Sequence, residues 1–169
     1  MMTDSARADA YAAVRARLDA LLAGETDWIA ALATVTSELH HSFDYYDWTG
    51  FYRVVAPELL VIGPYQGRHG CLRIPFSRGV CGAAARSRQT QLVPDVRARA
   101  DHIACASTTQ SEIVVPVLAA GRTLAVLDVD SNLPAAFTPL DQRELESLCR
   151  TLATRFPNGE LPHSASASG

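Results

Sequence analysis

Residues 111–131 read SEIVVPVLAAGRTLAVLDVDS, and the reading of this stretch decides the fold. Two apolar, β-branched runs flank an Ala-Gly-Arg turn, which is the pattern of an antiparallel hairpin. Side chains alternate along a strand, so Asp128 and Asp130 project to one face at the end of the second run. Glu112, at the start of the partner strand, comes near them if it shares that face. Two readings of the acid pair stand at this point. It is either a solvated strand end, with Asp130 capping the Ser131–Asn132 loop, or a desolvated cluster that keeps a proton near neutral pH or holds a cationic amine.

Working outward, Trp48 opens a run of short β-branched and aromatic segments, WTGFYRVV, LLVIGP and CLRIP, each punctuated by Pro or Gly and each predicted to be a strand. Trp48 and Tyr52, four apart, share a strand face, as the wall of a pocket or as plain core. Residues 79–88 are alanine-rich and predict a short helix, and Thr90–Val93 predicts another short strand. Upstream, Arg7–Leu22 predicts a helix stopped at Gly24, and Thr26 and Asp27 cap a second one reaching about His40. Downstream, Thr138 and Pro139 start a helix whose Leu140, Glu144, Leu145, Leu148 and Leu152 recur at helical spacing. The expected fold is α+β, a single domain with a central, largely antiparallel sheet and flanking helices. Residues 1–156 are expected to form the domain, and 157–169, ending HSASASG, a disordered tail.

With 169 residues, 48% of them hydrophobic, the chain suits one domain with a substantial core. A formal net charge of -3, with every positive residue an arginine standing singly, gives no basic field, so no nucleic-acid partner is expected. Charges throughout the N-terminal stretch argue against a signal peptide or membrane anchor, and a cytoplasmic location is expected. In that compartment four cysteines point to metal binding, redox chemistry or buried thiols.

Cys149 falls within the apolar stripe of the last helix and reads as a buried thiol. Cys81, in GVCG at the first turn of a helix, reads either as a dipole-stabilised thiolate or as a small residue for close packing. Cys71 follows GRHG at a loop-to-strand junction, and Cys105 lies in a small-residue loop. His102 and Cys105 have a spacing that a zinc site permits. No second close pair accompanies them, so no metal is expected and redox use of the thiols is favoured.

The segments WTGFY (48–52), IGPYQG (62–67), CLRIPFSRGVCGAA (71–84), HIACASTTQSEIVVP (102–116) and LAVLDVDS (124–131) together resemble the free methionine-(R)-sulfoxide reductase family of GAF-domain proteins. The resemblance implies thiol-dependent reduction of free L-methionine-(R)-sulfoxide in a GAF fold. No bound cofactor is implied; thioredoxin, with NADPH and its reductase, is the electron donor. It implies that Cys105 attacks the sulfoxide sulfur and becomes a sulfenic acid, and that Cys71 resolves this to a disulfide. Cys81 would be a relay or alternative disulfide partner. Glu112, Asp128 and Asp130 would polarise the sulfoxide and bind the amine, and Trp48 and Tyr52 would enclose the side chain. It further implies a homodimer through the helices. Ala106 departs from similar sequences, which often carry an acidic residue after the nucleophile. The alternatives are a non-catalytic GAF ligand sensor and a thiol redox switch using the same Cys71 and Cys105.

Overall fold

The computed structural model describes residues 2–98 and 108–159; His102, Cys105 and Ala106 lie outside the described residues. Its helices are α1 (Asp4–Leu21), α2 (Trp28–Ser42), α3 (Gly79–Ser87) and α4 (Pro139–Arg155). Its strands are β1 (Trp48–Ala56), β2 (Leu59–Gln66), β3 (Arg73–Pro75), β4 (Gln91–Val93), β5 (Ser111–Ala119) and β6 (Arg122–Ser131). They form one antiparallel sheet in the order β3-β2-β1-β6-β5-β4, as the α+β reading anticipates.

Element ends move for identifiable reasons. The Thr3 side chain accepts a hydrogen bond from the Ala6 N–H, so α1 starts at Asp4 and not at Arg7. Asp27 caps α2 through the Ala30 N–H, and the helix continues past His40 to Ser42. At α4 the helix starts after Thr138 with Pro139 in its first turn, as expected, and Thr138 and Asp141 add a reciprocal capping box. Cys71 does not open a strand; β3 begins two residues later, at Arg73.

Alternation along the strands sorts the side chains into two cores. Phe51, Ile113, Val115, Val117, Ala125, Leu127 and Val129 face one side and are covered by α1, α2 and α4. Trp48, Tyr52, Val114 and Val126 face the other, where they pack with Val80, Cys81 and Ala84 of α3. The sheet is a wall buried on both faces, and the register of its central strands decides which residues reach which side.

That register is kept by a bulge. Partners in the β5–β6 hairpin run Ser111↔Ser131 to Val117↔Ala125, then shift to Leu118↔Thr123 and Ala119↔Arg122, so Leu124 is the extra residue. The shift leaves a two-residue turn, Ala120–Gly121, in which φ is positive at both positions (49° and 73°). Such a turn matches strand twist, but alanine in the left-handed region is strained. Ala120→Asn is therefore expected to stabilise the fold by about 0.5–1 kcal/mol, read as a raised thermal midpoint. Pro116 is tolerated inside β5 because β4 pairs only with residues 112–114, so the missing N–H falls beyond the neighbouring strand.

A buried polar knot joins the first and last helices. Arg7 Nη1 donates to Asp141 Oδ2 at 2.5 Å and to the Ala136 carbonyl at 3.0 Å, with its guanidinium 4.5 Å from the centre of the Tyr45 ring. Tyr11 and Tyr45 both donate to Asp141 Oδ1, at 2.9 and 2.8 Å, and Tyr46 hydrogen-bonds Tyr11. A charge pair this deeply buried holds because most of its hydrogen-bonding capacity is met around it, although Arg7 Nε is buried with no hydrogen-bond partner among the described residues.

Candidate active site

The carboxylates meet as the shared-face argument requires. Glu112 lies directly across from Asp130, Val114 across from Asp128, and on the other side of β6 Trp48 faces Asp130 while Gly50 faces Asp128. All project to the face covered by α3. The solvated-strand-end reading fails at Asp128, which is only 6% exposed. Asp130 is half-buried and does not cap the following loop. That task falls to Asp47, whose carboxylate accepts from the backbone N–H and side-chain amide of Asn132 at 2.7 and 2.8 Å.

Burial raises the Asp128 carboxyl from its ordinary 3.8 to about 7, with hydrogen bonds from Cys81 and Glu112 pulling partly the other way. Two carboxyl groups in one hydrogen bond share a proton, so this acid holds one near neutrality. Asp130 is also pushed well up, by desolvation and by its neighbours Asp128 and Asp47. Asp128 Oδ1 is buried with no hydrogen-bond partner among the described residues, an acceptor open to an incoming donor.

Cys81 is the third residue of α3, near the helix start as expected, but its thiol is not an activated thiolate. It is buried, its Sγ donates to Asp128 Oδ2 at 3.2 Å, and burial together with the charges of Asp128 and Glu112 pushes its pKa well above the ordinary thiol value. Desolvation and like charge outweigh the helix terminus. Cys149 is buried on the opposite side of the sheet, as its place in the apolar stripe predicts. Cys71 is half-buried beside the α3-side core and disulfide-bonded, whereas Cys81 and Cys149 are free thiols.

Trp48 and Tyr52 stack with ring centres 5.8 Å apart, and Tyr65 also stacks on the indole at 5.5 Å. The indole N–H donates to the Arg68 carbonyl at 2.9 Å, fixing the ring. Burial beside Asp128 raises the Tyr52 phenol, so it stays protonated. Sequence reasoning missed the glycines that make room for these rings. A Cβ on Gly50 would sit 2.6 Å from Trp48 Cη2, and one on Gly70 would sit 2.8 Å from the Tyr52 hydroxyl. The available signal was the placement of glycine within WTGFY and GRHGC, which fits close approach of a ring to backbone.

The GAF domain family profile matches residues 25–155. The chain is 39% identical over 142 residues to the free methionine-R-sulfoxide reductase of Escherichia coli, covering 84% of this chain and 86% of that one. It is also 39% identical over 136 residues to the free methionine-R-sulfoxide reductase of Saccharomyces cerevisiae, covering 76% of each. Among solved structures, the free methionine-R-sulfoxide reductase of Neisseria meningitidis in complex with its substrate superposes with a TM-score of 0.85 at 42% identity, over 93% of each chain. No described helix is long and apolar enough to cross a membrane. With the family profile, the relatives and the superposed structure in agreement, the chain belongs to the free methionine-R-sulfoxide reductase family of GAF-domain proteins.

Proposed function

We propose that the protein reduces free L-methionine-(R)-sulfoxide to L-methionine. One observation carries the reading: a buried, proton-holding Asp128, hydrogen-bonded to Cys81, sits on the same sheet face as the Trp48–Tyr52 stack, in a chain aligned almost end to end with enzymes of that name. The zwitterionic substrate places its ammonium against the acidic face, where Asp128 Oδ1 is open, and its thioether-like chain against the aromatic rings. Cys105 attacks the sulfoxide sulfur as the proton held at the Asp128 cluster passes to the oxygen, which otherwise leaves poorly. The oxygen ends on Cys105 as a sulfenic acid, methionine departs, and Cys71 attacks that sulfur to give a disulfide and water. A thioredoxin dithiol then reduces the disulfide by exchange. That Cys71 is disulfide-bonded while Cys81 and Cys149 are free thiols supports a redox role for Cys71.

The test is a coupled assay that follows NADPH oxidation with thioredoxin, its reductase and separated sulfoxide diastereomers. Consumption with the free R isomer is expected. No consumption with either isomer overturns the enzyme and leaves the cysteine pair as a redox switch. Gly70→Ala is expected to raise KM about tenfold with a smaller change in kcat, because its Cβ displaces Tyr52 from the binding wall.

A further inference from the structure

Spacing in the sequence argues against zinc because no two thiols or imidazoles form a second close pair. The sheet, however, brings together three ligand-bearing residues that are far apart in the chain. Cys81 Sγ and carboxylate oxygens of Glu112 and Asp128 lie within 4.8 Å of one another, and all three residues are buried. The Cys81 Sγ to Asp128 Oδ2 separation of 3.2 Å is close to the edge of roughly 3.5 Å that sulfur and oxygen ligands span around a tetrahedral zinc ion. Asp128 Oδ1, on the same carboxylate, is buried without a partner among the described residues and adds an unused acceptor to the cluster.

We infer that Cys81, Glu112 and Asp128 bind a thiophilic divalent cation of the Zn2+ class, which takes the place of the substrate's ammonium and so blocks the site. One sulfur and two oxygens discriminate against Mg2+ and Ca2+, which take oxygen ligands, and favour borderline-soft ions. The cation replaces the thiol proton and the proton shared by the carboxyl groups; no oxidant or reductant is consumed. Two charges then sit where one ammonium would, and the acid that serves the sulfoxide oxygen has no proton to give. The site itself stands on the described geometry, and only its inhibitory consequence rests on the reductase reading.

Co2+ titrated into the disulfide form of the full chain tests the site directly, since Cys71 is then bonded and Cys81 is a free thiol. A near-ultraviolet thiolate-to-cobalt band is expected, absent in Cys81→Ser and unchanged in the control Cys149→Ser. Glu112→Gln keeps the thiol and is expected to show the band with affinity lowered about tenfold or more. Zn2+ is expected to bleach the band, and methionine sulfoxide to raise the apparent Kd for Co2+. No band in the parent, or a band that persists in Cys81→Ser, overturns the site. A Cys81-dependent band in a protein inactive toward sulfoxide would leave the metal site standing and sink the reductase reading instead.

Discussion

Cys105→Ser is expected to remove turnover completely, while Cys71→Ser still reduces about one equivalent of sulfoxide per chain before stalling. In the proposed mechanism the two thiols act in sequence. Without Cys105 no sulfur attacks the sulfoxide, and the buried Cys81 cannot stand in for it, since its thiol is held protonated by burial and by the neighbouring acids. Without Cys71 the first reduction proceeds, but the sulfenic acid has lost its resolving partner. Rapid-quench measurement of methionine formed per chain, without thioredoxin, separates these outcomes. A Cys71 variant that cycles normally with thioredoxin would transfer the resolving role to another thiol.

Asp128→Asn is expected to lower kcat by about 10²–10⁴-fold, the usual worth of a positioned proton donor. It should also make the protein more stable, by an amount that depends on pH. The Asp128 carboxyl is raised from 3.8 to about 7 in the folded protein, whereas the unfolded chain titrates near the ordinary value. Below about pH 4 both states are protonated, and the parent suffers no penalty. As pH rises from there through 7, the unfolded chain loses its proton first and stability falls; above 7 the penalty is complete. Asparagine carries no such charge, so the variant matches the parent near pH 4 and exceeds it at pH 8. The shift caps that gain at roughly 4 kcal/mol. Denaturant midpoints at the two pH values measure it, and equal differences at both would show that Asp128 is not a raised acid. The parent's rate is expected to fall as pH climbs through about 7, for the same reason.

The carboxylates were legible in the sequence because a two-residue period holds wherever apolar residues alternate unbroken, as they do from Ser111 to Val117 and from Ala125 to Ser131. Asp128, Asp130, Trp48 and Tyr52 follow from that period alone. What surrounds Cys81 was not legible. Its local sequence advertises a helix start, but the groups that set its chemistry arrive from β5 and β6, more than thirty residues away, and burial reverses the local effect. Asp47 was missed because its partner Asn132 lies across the sheet. The place of Arg7 was not legible either, since nothing nearby in the chain announces that Asp141 and three tyrosines will gather around it.

That enclosure bears on where the folding unit begins. A fragment cut at residue 25, the first position matched by the GAF profile, would keep Trp48, Cys81, Glu112 and both aspartates of β6. It would discard Arg7 and Tyr11, leaving the buried Asp141 carboxylate without its arginine counter-charge, held only by Tyr45 and by Thr138 at the first turn of the last helix. Trimming by similarity would thus spare every proposed site residue and weaken the frame that holds them, so the opening helix is internal bracing.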